Sequence, residues 1–127
     1  MPDASSLLIL IVDDFQDNRE MYAEYLTAMG YRVAESGDGA SAIAMVGELQ
    51  PALVVMDLSL PIIDGWEAIR RLKADPKTAH VPIVALTGHV LQAHAQSAKA
   101  AGCDAFVTKP CLPEALLAEI KRLTQPR

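Results

Sequence analysis

Short apolar runs and helix-spaced apolar positions take turns along this chain. Leu7-Leu8-Ile9-Leu10-Ile11-Val12 is unbroken and stops at Asp13-Asp14. A run of that length, rich in branched residues and bounded by turn formers, reads as a strand buried on both faces. From Asp17-Asn18 onward, Met21, Tyr22, Tyr25, Leu26 and Met29 recur at helical spacing, and Gly30 stands where a helix would end. Residues 32–35 give a short second strand with a polar start, which suits the rim of a sheet. Ser36-Gly37-Asp38-Gly39 turns into a helix over residues 40–49, closed by Pro51. The third apolar run, Leu53-Val54-Val55-Met56, delivers Asp57 at its end.

Asp64 with Gly65 opens a helix carrying Trp66, Ile69 and Leu72, and residues 81–86 form a fourth strand ending at Thr87-Gly88-His89. The helix expected over residues 90–101 is rich in Ala and has few large apolar side chains. It should pack weakly and move easily, up to its end at Gly102. Residues 105–108 make a fifth short strand, followed by Lys109-Pro110 and a last helix built on Leu116, Leu117, Ile120 and Leu123. Strands alternating with helices imply right-handed crossovers and a parallel sheet covered on both faces. With five such units the expected fold is α/β, a flavodoxin-like doubly wound sheet in the order 2-1-3-4-5. A chain of 127 residues fits one domain over 1–127.

Composition narrows the classes of partner. Hydrophobic residues make up 51% and aromatics 5%, ordinary for an α/β domain. A net charge of −5 argues against nucleic acid, whose phosphates call for clustered Lys and Arg. Arg70-Arg71 with Lys73 comes nearest to such a cluster and reads as a solvated helix face. Cys103 and Cys111 are too few and too far apart for a zinc site or a disulfide framework, which points to reduced thiols in the cytoplasm. The run at 7–12 is too short for a signal core and has no basic residues before it. No stretch is long enough to cross a membrane.

All strands of a parallel sheet share one carboxyl edge. Asp13 and Asp14, Asp57, Thr87 and Lys109 therefore gather there from four different strands. Three carboxylates in one pocket repel each other and would be costly without a cation. Oxygen-only ligands suit Mg²⁺, which keeps several waters and favours a phosphate oxygen as a further ligand. Lys109 adds a point charge and Thr87 a hydroxyl donor, the parts needed around a phosphoryl group in transfer. The carboxylate of Asp57 can itself be the nucleophile, as in aspartyl-phosphate chemistry.

Asp13-Asp14, Asp57 with Pro61, Asp64-Gly65, Ala85-Leu86-Thr87-Gly88, and Phe106 before Lys109-Pro110 occur in an order and spacing that cover nearly the whole chain. In these motifs the sequence resembles the receiver domains of bacterial two-component response regulators, those of single-domain chemotaxis-regulator type included. The resemblance implies that Asp57 accepts a phosphoryl group from phosphohistidine on a sensor histidine kinase or a histidine phosphotransfer protein. It implies that Asp14 and Asp57 ligate Mg²⁺ directly, Asp13 through water, and Ser59 by its backbone carbonyl. Thr87 and Lys109 would bind the phosphoryl oxygens, with the Lys109–Pro110 bond cis. Phe106 would be the switch aromatic, following Thr87 inward. Ser59 and His89, at the mouth of the pocket, would tune self-dephosphorylation. Phosphorylation would change the face formed by the fourth helix, fifth strand and fifth helix, where a downstream protein binds.

Other readings compete. Gly37-Asp38-Gly39-Ala40-Ser41-Ala42 fits a dinucleotide fingerprint, but that loop should follow the first strand, where two carboxylates would repel a pyrophosphate. His80, His89 and His94 show no metal spacing. Trp66 reads as partly buried packing rather than as a ligand platform. A phosphohydrolase of the haloacid dehalogenase type also uses a nucleophilic Asp, but wants a second Asp where Ser59 stands. A flavodoxin-like module that only binds partners would not need every site residue. The chain reads as a phosphoacceptor rather than an enzyme. It suits a stand-alone regulator somewhat better than a receiver cut from a hybrid kinase or multidomain regulator.

Overall fold

The computed structural model describes residues 7–60, 62–87, 102–108 and 112–125. Among them, β1 (Leu8–Val12), β2 (Arg32–Ser36), β3 (Leu53–Asp57), β4 (Ile83–Thr87) and β5 (Ala105–Thr108) form one parallel sheet in the order β2-β1-β3-β4-β5. The helices are α1 (Gln16–Ala28), α2 (Gly39–Leu49), α3 (Gly65–Ala74) and a C-terminal helix (Pro113–Thr124). This is the expected flavodoxin-like order, with the polar-starting second strand at the rim. The helix expected over 90–101 lies outside the described residues, as do Pro61, Gly88, His89, His94, Lys109, Pro110 and Cys111.

The pleat sorts the strand side chains into two layers. Leu10, Val12, Val54, Met56, Ile83 and Ala85 pack with Ala42 and Val46 of α2 and with Ala68, Ile69 and Leu72 of α3. Ile9, Ile11, Leu53, Val55, Val84 and Leu86 face the opposite way, onto Tyr22 and Leu26 of α1 and Leu116, Leu117 and Ile120 of the C-terminal helix. Every residue of β3 and β4 is buried, which is why those strands read as continuous apolar runs without alternation. Trp66 is half-buried against the α2/α3 layer, as its packing reading expects.

Element ends follow local hydrogen bonding. Asp38 caps α2 by accepting the Ser41 N–H at 2.7 Å, and Asp64 caps α3 by accepting the Glu67 N–H at 2.9 Å. Helix α1 starts one residue before the expected Asp17, whose carboxylate sits in its first turn, where the helix dipole favours it. Strand β4 starts at Ile83 rather than at 81. The Val81 N–H closes a turn onto the Thr78 carbonyl, and Pro82 has no N–H to give the ladder. Lys73 departs from the solvated reading: its ammonium donates to the Ala79 carbonyl at 3.1 Å, the Val81 carbonyl at 2.8 Å and Asp104 Oδ2 at 2.9 Å. It ties the end of α3 to the starts of β4 and β5.

Gly39 has a packing role in place of a nucleotide role. A Cβ there would meet the Ile63 backbone, with the carbonyl carbon at 3.0 Å and the oxygen nearer still. Its bare Cα lets the loop after β3 lie against the start of α2.

Candidate functional site

Strand register fixes what stands at the carboxyl edge of the sheet. Val12 aligns with Ser36 on one side and Met56 on the other, Asp57 with Leu86, and Thr87 with Thr108. Asp13 extends the β1–β2 ladder by donating its N–H to the Ser36 carbonyl at 3.0 Å. Its Oδ1 accepts the Phe15 N–H at 2.9 Å, a turn that sends the chain into α1. Past β3 the Leu58 N–H reaches the Leu86 carbonyl at 3.0 Å, and Asp57 Oδ1 accepts the Ser59 N–H at 2.9 Å. The same short turn therefore anchors both carboxylates from below.

Asp13 is fully buried, Asp57 is 3% exposed, and Asp14 is exposed. Each offers one carboxylate oxygen, and these oxygens lie within 4.8 Å of one another. Three like charges at that separation call for a cation, and an all-oxygen donor set fits a hard divalent ion such as Mg²⁺ rather than zinc or copper. The structure thus brings together Asp13, Asp14 and Asp57 as the topology requires. Thr87 ends β4 on the same edge, buried beside β3. Ser59 is exposed, and its N–H is committed to Asp57. Phe106, opposite Ala85 in the ladder, is half-buried against the α2/α3 layer. Lys109 and His89 fall outside the described residues.

Arg19 escaped the sequence reading. From the first turns of α1 its Nη1 donates to the Asp13 carbonyl at 2.9 Å, and its Nε donates to Glu35 Oε1 at 3.1 Å. A cation six positions after Asp13, on the helix that folds back over that strand end, is the signal that would have found it.

The model of the response regulator receiver domain family matches residues 9–121. The response regulator PleD of Caulobacter vibrioides is 34% identical over 94% of the chain, which spans only 26% of PleD's length. The polar-differentiation response regulator DivK of Brucella anthropi is 29% identical over 80% of the chain and 83% of its own length. Among solved structures, the receiver domain of a sensor histidine kinase from Pseudomonas aeruginosa is similar with a TM-score of 0.88 and 30% identity, covering 94% of this chain and 98% of its own. In that structure a magnesium ion is coordinated in the active site cleft. None of the described helices here is long and apolar enough to cross a membrane. With nearly its whole length matched and the parallel sheet in the order the family uses, the chain belongs to the receiver domains of response regulators, the signalling modules of two-component systems.

Proposed function

We propose that Asp57 is the phosphoacceptor of this receiver domain, and that residues 1–127 act as one such unit. The observation that carries the reading is a nearly buried carboxylate at the end of β3, with the carboxylates of Asp13 and Asp14 converging on it. An Asp57 oxygen attacks the phosphorus of a phosphohistidine on a sensor kinase or phosphotransfer protein. The P–N bond breaks, and the imidazole nitrogen keeps the electron pair and takes a proton. Mg²⁺ bound here would screen the carboxylates and the incoming phosphoryl oxygens. Asp14, Asp57 and the Ser59 carbonyl would hold it directly and Asp13 through water, while Thr87 and Lys109 would take the phosphoryl oxygens.

In the switch we propose, Thr87 is drawn toward the phosphoryl group and Phe106 follows it. This would remodel the face of the fourth helix, fifth strand and fifth helix for a downstream protein. Ser59 and His89 would set the lifetime of the phosphorylated form. The setting is the cytoplasm, where a kinase has ATP to make phosphohistidine. The test is incubation with a small phosphodonor such as acetyl phosphate, with and without Mg²⁺, followed by intact mass. One added phosphoryl group, dependent on Mg²⁺ and absent in Asp57→Ala, is expected. Steady turnover of a generic phosphoester with no stable adduct would instead favour a phosphohydrolase.

A further inference from the structure

We propose that Arg19 is a positioning residue for the metal site, orienting the Asp13–Asp14 peptide and so aiming the Asp14 carboxylate at Asp13 and Asp57. The inference rests on the Mg²⁺ reading above. The main-chain N–H of Asp13 is fixed by Ser36, and its side chain is fixed by the Phe15 N–H. Its carbonyl belongs to the peptide that leads into Asp14, and Arg19 Nη1 holds that carbonyl at 2.9 Å. Tilting this peptide would swing Asp14, which is exposed, away from the two buried acids.

Arg19 is itself aimed. Its Nε is held by Glu35 of β2 at 3.1 Å, and the side chain is 20% exposed. A Cβ on Gly37 would stand 3.4 Å from Nη1, so the guanidinium runs close along the turn after β2. A planar guanidinium can serve a carbonyl and a carboxylate at once in fixed geometry, which a lysine ammonium does not reproduce.

The test compares the parent with Arg19→Gln, Arg19→Lys and Glu35→Gln. Mg²⁺ affinity is read from Trp66 fluorescence, the Asp14 amide resonance from the metal-free protein, and the unfolding midpoint from urea titration. Arg19→Gln is expected to weaken Mg²⁺ about tenfold, the low end for a residue that orients a ligand. It should also move the Asp14 amide resonance before any metal is added. Arg19→Lys should recover part of the affinity, and Glu35→Gln should lose less than Arg19→Gln. The proposal is overturned if Arg19→Gln lowers the unfolding midpoint while affinity and the Asp14 resonance stay at parent values. Should Arg19→Gln not fold, parent-like affinity in both other variants overturns it as well. If the parent takes up no Mg²⁺, the metal reading fails, and the metal-free Asp14 resonance alone decides what Arg19 orients.

Discussion

A Cβ on Gly65 would collide with the Asp57 carbonyl oxygen and come within 2.6 Å of the Leu58 Cα, both backbone atoms that cannot step aside. The start of α3 is thereby pressed against the strand end that carries Asp57. Gly65→Ala should cost about 1–3 kcal/mol, as overpacking does, and slow phosphorylation by a small donor because the Asp57 backbone must shift. Urea unfolding and single-turnover kinetics check both effects. A variant as stable and as fast as the parent would mean the two elements are not locked. Asp14 makes a second case at this scale. As an exposed carboxylate beside two buried ones, it would be the first acid a solvated cation meets in the proposed metal site. Asp14→Ala is expected to weaken Mg²⁺ by at least about tenfold, no less than losing a group that merely orients a ligand. Trp66 fluorescence during titration measures it, and unchanged affinity would remove Asp14 from the ligand set.

Elements were legible in the sequence where burial alone decides them. The runs that became β1, β3 and β4 are apolar at nearly every position because both faces are covered. Long-range ties were not legible. Lys73 looked solvated because its acceptors are two carbonyls across a turn and Asp104, which is remote in sequence. Arg19 was hidden in the same way, since its acceptors belong to β1's end and β2. Asp104 Oδ2 also accepts the Ile83 N–H at 2.8 Å, so one ion pair pins the starts of β4 and β5. Lys73→Met should lose about 1–3 kcal/mol in urea unfolding, since it removes the donor of three hydrogen bonds, one of them to the carbonyl of buried Val81. On the outer face of α3, hydrogen bonds from Arg70 and then Arg71 hold the Glu67 carboxyl below its ordinary value. Its contribution is therefore present above the ordinary carboxylate range and lost as pH falls through the lowered value. Glu67→Gln should flatten the acid limb of the stability profile in that window.

At the scale of the whole molecule, the parallel order collects residues from distant parts of the chain on one edge, and the core beneath holds that edge still. Leu10 and Ile83 are fully buried in the layer under α2 and α3. Ile83→Ala should cost about 2–5 kcal/mol in urea unfolding, with the cavity left in strand β4. Phosphorylation should leave that core intact and act through Thr87. Amide exchange with and without a phosphate mimic is then expected to differ most between Thr87 and Phe106, and a larger change in α1 would contradict the switch. In the proposed chemistry the acceptor is Asp57 and no other carboxylate. Borohydride reduction of the phosphorylated protein converts an acyl phosphate on Asp into homoserine, which peptide mass spectrometry then locates. Homoserine at position 57, formed only after Mg²⁺-dependent phosphorylation, is the expected result. Homoserine at position 13 or 14, or none in a protein that has gained a phosphoryl group, would contradict it.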